Sequence, residues 1–147
     1  MDAYATAVAT SNPETVLSVG VTWREPTEIL AEIGRRWDNA GISWAVTGIV
    51  AASVLAPYLT TVTSGEVYVG RRTIAELEAI AAAADLEPIN GGRLTLRPFP
   101  TVTTRLLSVV KNGLSLAPWP RVYADLRISG VRGEEAAEHL RQTIREQ

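Results

Sequence analysis

Apolar side chains at Ile29, Leu30, Ile33 and Trp37 recur at helical spacing, and the pattern predicts a helix running from Pro26 to Gly41. Pro26 suits the first helical position, and Glu25 and Glu28 suit the positive end of the helix dipole. The period then switches. Ile42, Trp44 and Val46 alternate with Ser43, Ala45 and Thr47, which predicts a short strand. Gly48 turns the chain into a second helix through Ala51, Ala52, Val54 and Leu55, limited by Pro57. Residues Val62 to Val69 read as a strand. Thr73 and Glu76 form a capping box for a third helix, whose buried stripe would be Ile74, Leu77, Ile80 and Ala81.

The second half of the chain is punctuated by turns. Asn90-Gly91-Gly92 precedes a strand that carries Leu94 and Leu96 on one face. Leu106 to Val110 reads as a further strand that ends at Asn112-Gly113, with Leu114–Leu116 as its partner. Beyond Pro118 and Pro120, Val122, Tyr123 and Leu126 share one side of a short helix. Gly130 and Gly133 bracket a turn, and Glu134 and Glu135 open a last helix with Ala136, Ala137, Leu140 and Ile144 on its apolar face. Residues 1–22 are left as an N-terminal arm or an extra strand, with Val16, Val19 and Val21 as its apolar positions. Residues 23–147 form a single α/β (α+β) domain, a mixed sheet flanked by helices.

Composition narrows the chemistry more than it directs it. At 147 residues the chain can bury about 70% of its unfolded surface. The formal charge of -2 gives no overall pull toward nucleic acid. Cysteine is absent and His139 stands alone, so disulfides, thiolate metal sites and His-rich metal sites are all excluded. The longest apolar stretch, Ile42 to Leu59, is interrupted by Ser43, Thr47, Gly48, Ser53 and Pro57, which argues against a membrane span. The N-terminus has no basic segment of the kind that opens a signal peptide, and the expected location is the cytoplasm.

The candidate chemistry centres on two strands and the helix between them. Thr47-Gly48 marks a strand-to-helix junction, where free backbone N–H groups can hold an anion; the plainer reading is a tight turn with Thr47 as cap. A strand, a glycine-led helix and a second strand bearing two carboxylates two residues apart is the metal-binding heart of nucleotidyltransferases. Here that second strand reads Gly65-Glu66-Val67-Tyr68-Val69. Glu66 fits one carboxylate position, Tyr68 occupies the other, and Leu94–Arg97 supplies no third acid. The core is therefore expected to be a degenerate nucleotidyltransferase-like one, with no catalytic residue, metal or cofactor. His139, between glutamates, reads as a helix surface residue. Arg93 and Arg97 share one face of a strand, Arg71 and Arg72 lie in a loop, and Arg121, Arg127 and Arg132 populate the tail. These arginines are either solvated surface or a split basic patch for phosphates.

Several segments carry a resemblance to a known family. Glu25-Pro26 through Ile33, Trp44-Ala45-Val46-Thr47-Gly48, Ala51-Ala52 and Leu55-Ala56-Pro57-Tyr58 are similar to the C-terminal domain of AbiE-type antitoxins. In the tail, Val122-Tyr123-Ala124-Asp125-Leu126, Gly133-Glu134-Glu135-Ala136-Ala137 and Leu140 extend the likeness, which covers about residues 23–145. The resemblance implies a bacterial, non-enzymatic antitoxin or transcriptional regulator of a type IV (abortive-infection) toxin–antitoxin system. It also implies a nucleotidyltransferase-like toxin as the protein to be counteracted, or a part in autoregulation of the operon. The family binds DNA through an N-terminal winged helix, which residues 1–25 are too few to form. DNA is thus a partner only if the parent protein carries such a domain; no membrane partner is expected. Two alternatives stay open: an active nucleotidyltransferase using Glu66, and an orphan scaffold domain that binds protein.

Overall fold

The computed structural model of the protein describes residues 16–21, 25–55, 62, 64–70, 73–128 and 131–146, with the backbone alone at 131–133 and 146. Six helices and seven strands form a mixed α/β fold among them. In chain order the elements are β1 (Leu17–Gly20), α1 (Pro26–Asn39), β2 (Trp44–Thr47), α2 (Gly48–Leu55), β3 (Gly65–Val69), α3 (Ile74–Ala83) and β4 (Glu87–Pro88). There follow β5 (Leu94–Pro98), α4 (Val102–Leu106), β6 (Val109–Lys111), β7 (Leu114–Leu116), α5 (Trp119–Arg127) and α6 (Val131–Glu146). The strands make one sheet in the order β4-β1-β5-β3-β2-β7-β6. Pairing is parallel for β2 with β7 and β3 with β5, and antiparallel elsewhere.

Helices cover both faces of the central strands, and for that reason all of β2 is buried. On one face, α1 presents Leu30, Ile33 and Trp37. The Trp37 indole donates to the carbonyl of Ile80 in α3 (2.9 Å), and Arg36 donates to the carbonyl of Ala84 (2.8 Å). Gly34 is required there: a Cβ at this position would lie 2.0 Å from the Trp44 ring, so glycine lets α1 lie directly on β2. On the other face α2, α5 and α6 pack on one another. Ala136, Ala137 and Leu140 of α6 are buried in that layer, and Ile144 packs against it.

The strand-and-helix pattern expected from the sequence holds through the first half, with the strand expected from Val62 opening at Gly65 and the reciprocal capping box of Thr73 and Glu76 present. Strand β1 belongs to the sheet, between β4 and β5, with Val19 fully buried against Leu94. Four details differ. Ile74 is 46% exposed and does not join the stripe of Leu77, Ile80 and Ala81. The two-residue strand β4 gives no periodic signal. Leu106 ends a helix instead of opening a strand, because the Thr101 hydroxyl accepts the N–H of Thr104 (3.1 Å) and starts α4. The last helix begins at Val131, so Gly133 lies within α6 and Glu134 and Glu135 follow its first residues. Pro57, Tyr58, Arg71, Arg72 and Gly130 lie outside the described residues, as does the Arg132 side chain.

Candidate functional site

The alternation of β2 and β3 points Ala45, Thr47, Glu66 and Tyr68 to the face covered by α2 and α5, since Ala45 pairs with Tyr68 and Thr47 with Glu66. Helix α5 enters between the prolines at 118 and 120, and its i, i+4 pair Arg121 and Asp125 reaches down onto this face. Four side chains meet there. The Thr47 hydroxyl donates to Asp125 Oδ2 (2.6 Å), and the Tyr68 hydroxyl donates to the same oxygen (2.5 Å). Arg121 Nε donates to the Tyr68 hydroxyl (2.7 Å), while its Nη2 pairs with Asp125 Oδ1 at 3.0 Å. All four residues are no more than 5% exposed.

This is a closed ring of donors and acceptors. Tyr68 both gives and receives a hydrogen bond, and both carboxylate oxygens of Asp125 are engaged. The guanidinium also lies 5.3 Å from the Tyr68 ring centre, and Phe99 stacks on that ring from 5.8 Å. Burial, and then the negative charge of Asp125, raise the Tyr68 phenol well above its ordinary value, although Arg121 opposes the shift. Tyr68 is therefore a neutral donor, not a base. A buried ion pair of this kind offsets its desolvation only through such complete bonding.

Gly48 adopts φ +68, in the left-handed region, so glycine is demanded by the backbone at the strand-to-helix junction. Space is not the reason, since a Cβ there would come no closer than 3.9 Å to the Glu66 carboxylate. Glu66 itself lies 3.0 Å from Arg97 Nε across β3 and β5, both side chains being half-buried. The one carboxylate that the sequence offers as a metal ligand is thus already beside a cation. Among the described residues no group of three acidic or histidine side chains could hold a metal ion.

The sequence-based candidates separate into three groups. Thr47, Tyr68, Arg121 and Asp125 come together, and Gly48, Glu66 and Arg97 lie at the edge of the same face. Tyr123 is buried too, but its hydroxyl accepts from Arg127 within α5 (3.2 Å). Arg93, Glu134 and Glu135 are exposed; Arg93 directly precedes β5, and Arg97 lies against Glu66. His139 is half-buried on α6, not fully on its outer side. Two clefts of about 350 and 550 Å³ lie at the end of the sheet, and none of the four ring residues lines them. No described helix is long and apolar enough to cross a membrane. The chain matches no protein-family model, no curated protein and no solved structure.

Proposed function

We propose that the protein is a non-enzymatic antitoxin or regulator domain of a bacterial type IV toxin–antitoxin system. In this reading the nucleotidyltransferase-like strand–helix–strand has become a support for α5. The observation that carries it is the fate of the two metal-binding positions. Glu66 is paired with Arg97, and Tyr68 is locked between Asp125 and Arg121. Metal-assisted phosphoryl transfer needs carboxylates that converge on open space. Here the carboxylates converge on guanidinium groups, and the bonded ring that results is suited to holding shape for recognition.

The test is co-expression with a nucleotidyltransferase-like toxin of the same operon. Growth arrested by the toxin is expected to recover, and to recover equally with Glu66→Ala. Absence of rescue would remove the antitoxin reading. Transfer of a labelled nucleotide by the purified chain, lost on Glu66→Ala, would replace it with the enzyme.

A further inference from the structure

We propose that α4 and the edge strand β6 form a docking surface for an extended segment of a partner protein, one that alternates apolar and acidic side chains and adds a strand beside β6. The inference rests on reading the chain as a partner-binding domain. Its first support is an inversion of polarity. Five of the nine large hydrophobic side chains exposed among the described residues fall within positions 102–110: Val102, Leu106, Leu107, Val109 and Val110, at 49% to 78% exposure. In the same segment Thr104 is buried, its hydroxyl 3.0 Å from that of Thr101, and its carbonyl accepts from Ser108 Oγ (3.0 Å). A helix that hides threonine and displays leucine has its apolar face turned toward something outside the fold.

The backbone of β6 supplies the second support. Strand β6 ends the sheet and pairs only with β7 among the described strands. Asn112 and Gly113, at φ 54 and 78, make the two-residue turn of a tight hairpin. Lys111 and Leu114 are therefore its hydrogen-bonded closing pair, and alternation points the N–H and C=O of Val110 away from β7. Edge strands are normally guarded by charge or proline. Lys111 is the one charge on β6, Val109 and Val110 beside it are exposed, and strand addition uses such an edge for main-chain affinity.

Charge identifies the occupant. Positions 88–124 contain no Asp or Glu in a chain that is acidic overall. Of the cations in that stretch, Arg97 pairs with Glu66 and Arg121 with Asp125. Arg105 and Lys111, the chain's one lysine, flank the apolar strip, are exposed, and have no acidic partner among the described residues. Arg105 lies where the two clefts meet and lines both; Leu106 and Val110 line the larger. Asp38 lines the larger cleft as well, but one of its oxygens accepts from the Trp44 indole (2.9 Å). Arg105 and Lys111 would attract carboxylates of such a segment, and the exposed Val109 and Val110 its apolar side chains. A second copy of β6 would bring Val-Val-Lys and no carboxylate.

The experiment is fluorescence anisotropy of the full chain with a labelled heptapeptide that alternates valine and glutamate. Saturable binding that weakens as salt rises is expected. The double variant Arg105→Glu/Lys111→Glu should weaken it by about tenfold or more. Val110→Pro, which removes the outward N–H and leaves the ladder bonds to β7 in place, should weaken it several-fold. A valine–lysine peptide should not bind. Absence of saturation, or binding unchanged by the double reversal, would overturn the proposal. So would a concentration-dependent dimer in sedimentation that Val110→Glu dissolves, since a second copy would then be the occupant. Peptide binding without growth rescue would leave this surface standing and remove the antitoxin reading; rescue without peptide binding would do the reverse.

Discussion

Two regions of this molecule depart from the usual partition of polar outside and apolar inside, and they depart in opposite directions. Beneath α5, a threonine, a tyrosine, an arginine and an aspartate are buried together, and each is answered by another member of the group. Along α4 and β6, valines and leucines stand in water, and nothing among the described residues covers them. Burying polar groups is tolerable when every donor finds an acceptor. Exposing a run of large apolar groups has no internal compensation. The first departure is thus explained by the fold itself, and the second points to a partner.

The comparison breaks most sharply at Asp125. Asp125→Ala would leave the Arg121 charge buried without its counter-ion, and the Thr47 and Tyr68 hydroxyls without their acceptor. A loss of about 3–5 kcal/mol in urea unfolding is expected. If the ring is structural, Arg121→Met together with Asp125→Leu should recover the part of that loss that comes from the unpaired charge, because a well-packed apolar pair replaces a buried ion pair at little cost, while the Thr47 and Tyr68 hydroxyls stay without their acceptor. A double variant as unstable as the single one would mean that α5 depends on the charges themselves.

Tyr68→Phe is the milder version, expected to cost about 1–3 kcal/mol at neutral pH, since it removes one donor from Asp125 and one acceptor from Arg121. Its pH dependence gives a second reading. The Tyr68 phenol titrates above its ordinary value of 10.0 in the folded protein. Its contribution is therefore fully present below pH 10 and is lost as the pH rises further, when the unfolded chain ionises first. Wild type and variant should be separated by a constant gap in the neutral range and converge above pH 10. A gap that persisted at high pH would place the phenol in a less desolvated setting.

How much of this could be read from the sequence follows from the range of the interactions. The Trp37 stripe, the Thr73–Glu76 capping box and the Asn112-Gly113 turn are local, and each has its signal within a few residues. Alternation also puts Glu66 and Tyr68 on one face of their strand; that Thr47 shares it follows from the register of β2 against β3. What alternation could not supply was Asp125, which meets Thr47 from 78 positions away. The pairing of Glu66 with Arg97 is likewise a matter of sheet order, not of spacing. At Leu106–Ser108 the local signal misled: an apolar run reads as the opening of a strand, but the Thr101 cap and the inward-facing Thr104 set the helix first, and only Val109 and Val110 of the run lie in β6. Gly34 was visible only as a glycine inside a helical stripe, and its role needed Trp44 from the next strand.

The smallest effect is the one that tests the outer region. Leu106→Gln exchanges two good helix formers at a position 69% exposed, so the stability of the dilute chain should change by less than about 0.5 kcal/mol. A buried leucine such as Leu94 or Leu96 would cost about 2–5 kcal/mol on truncation to alanine. The contrast between those numbers is the contrast between core and recognition surface. Were Leu106→Gln to cost about 2 kcal/mol in thermal unfolding of a dilute sample, Leu106 would already be covered within the folded chain. The inverted face of α4 would then be part of the core, and the two regions would obey one rule.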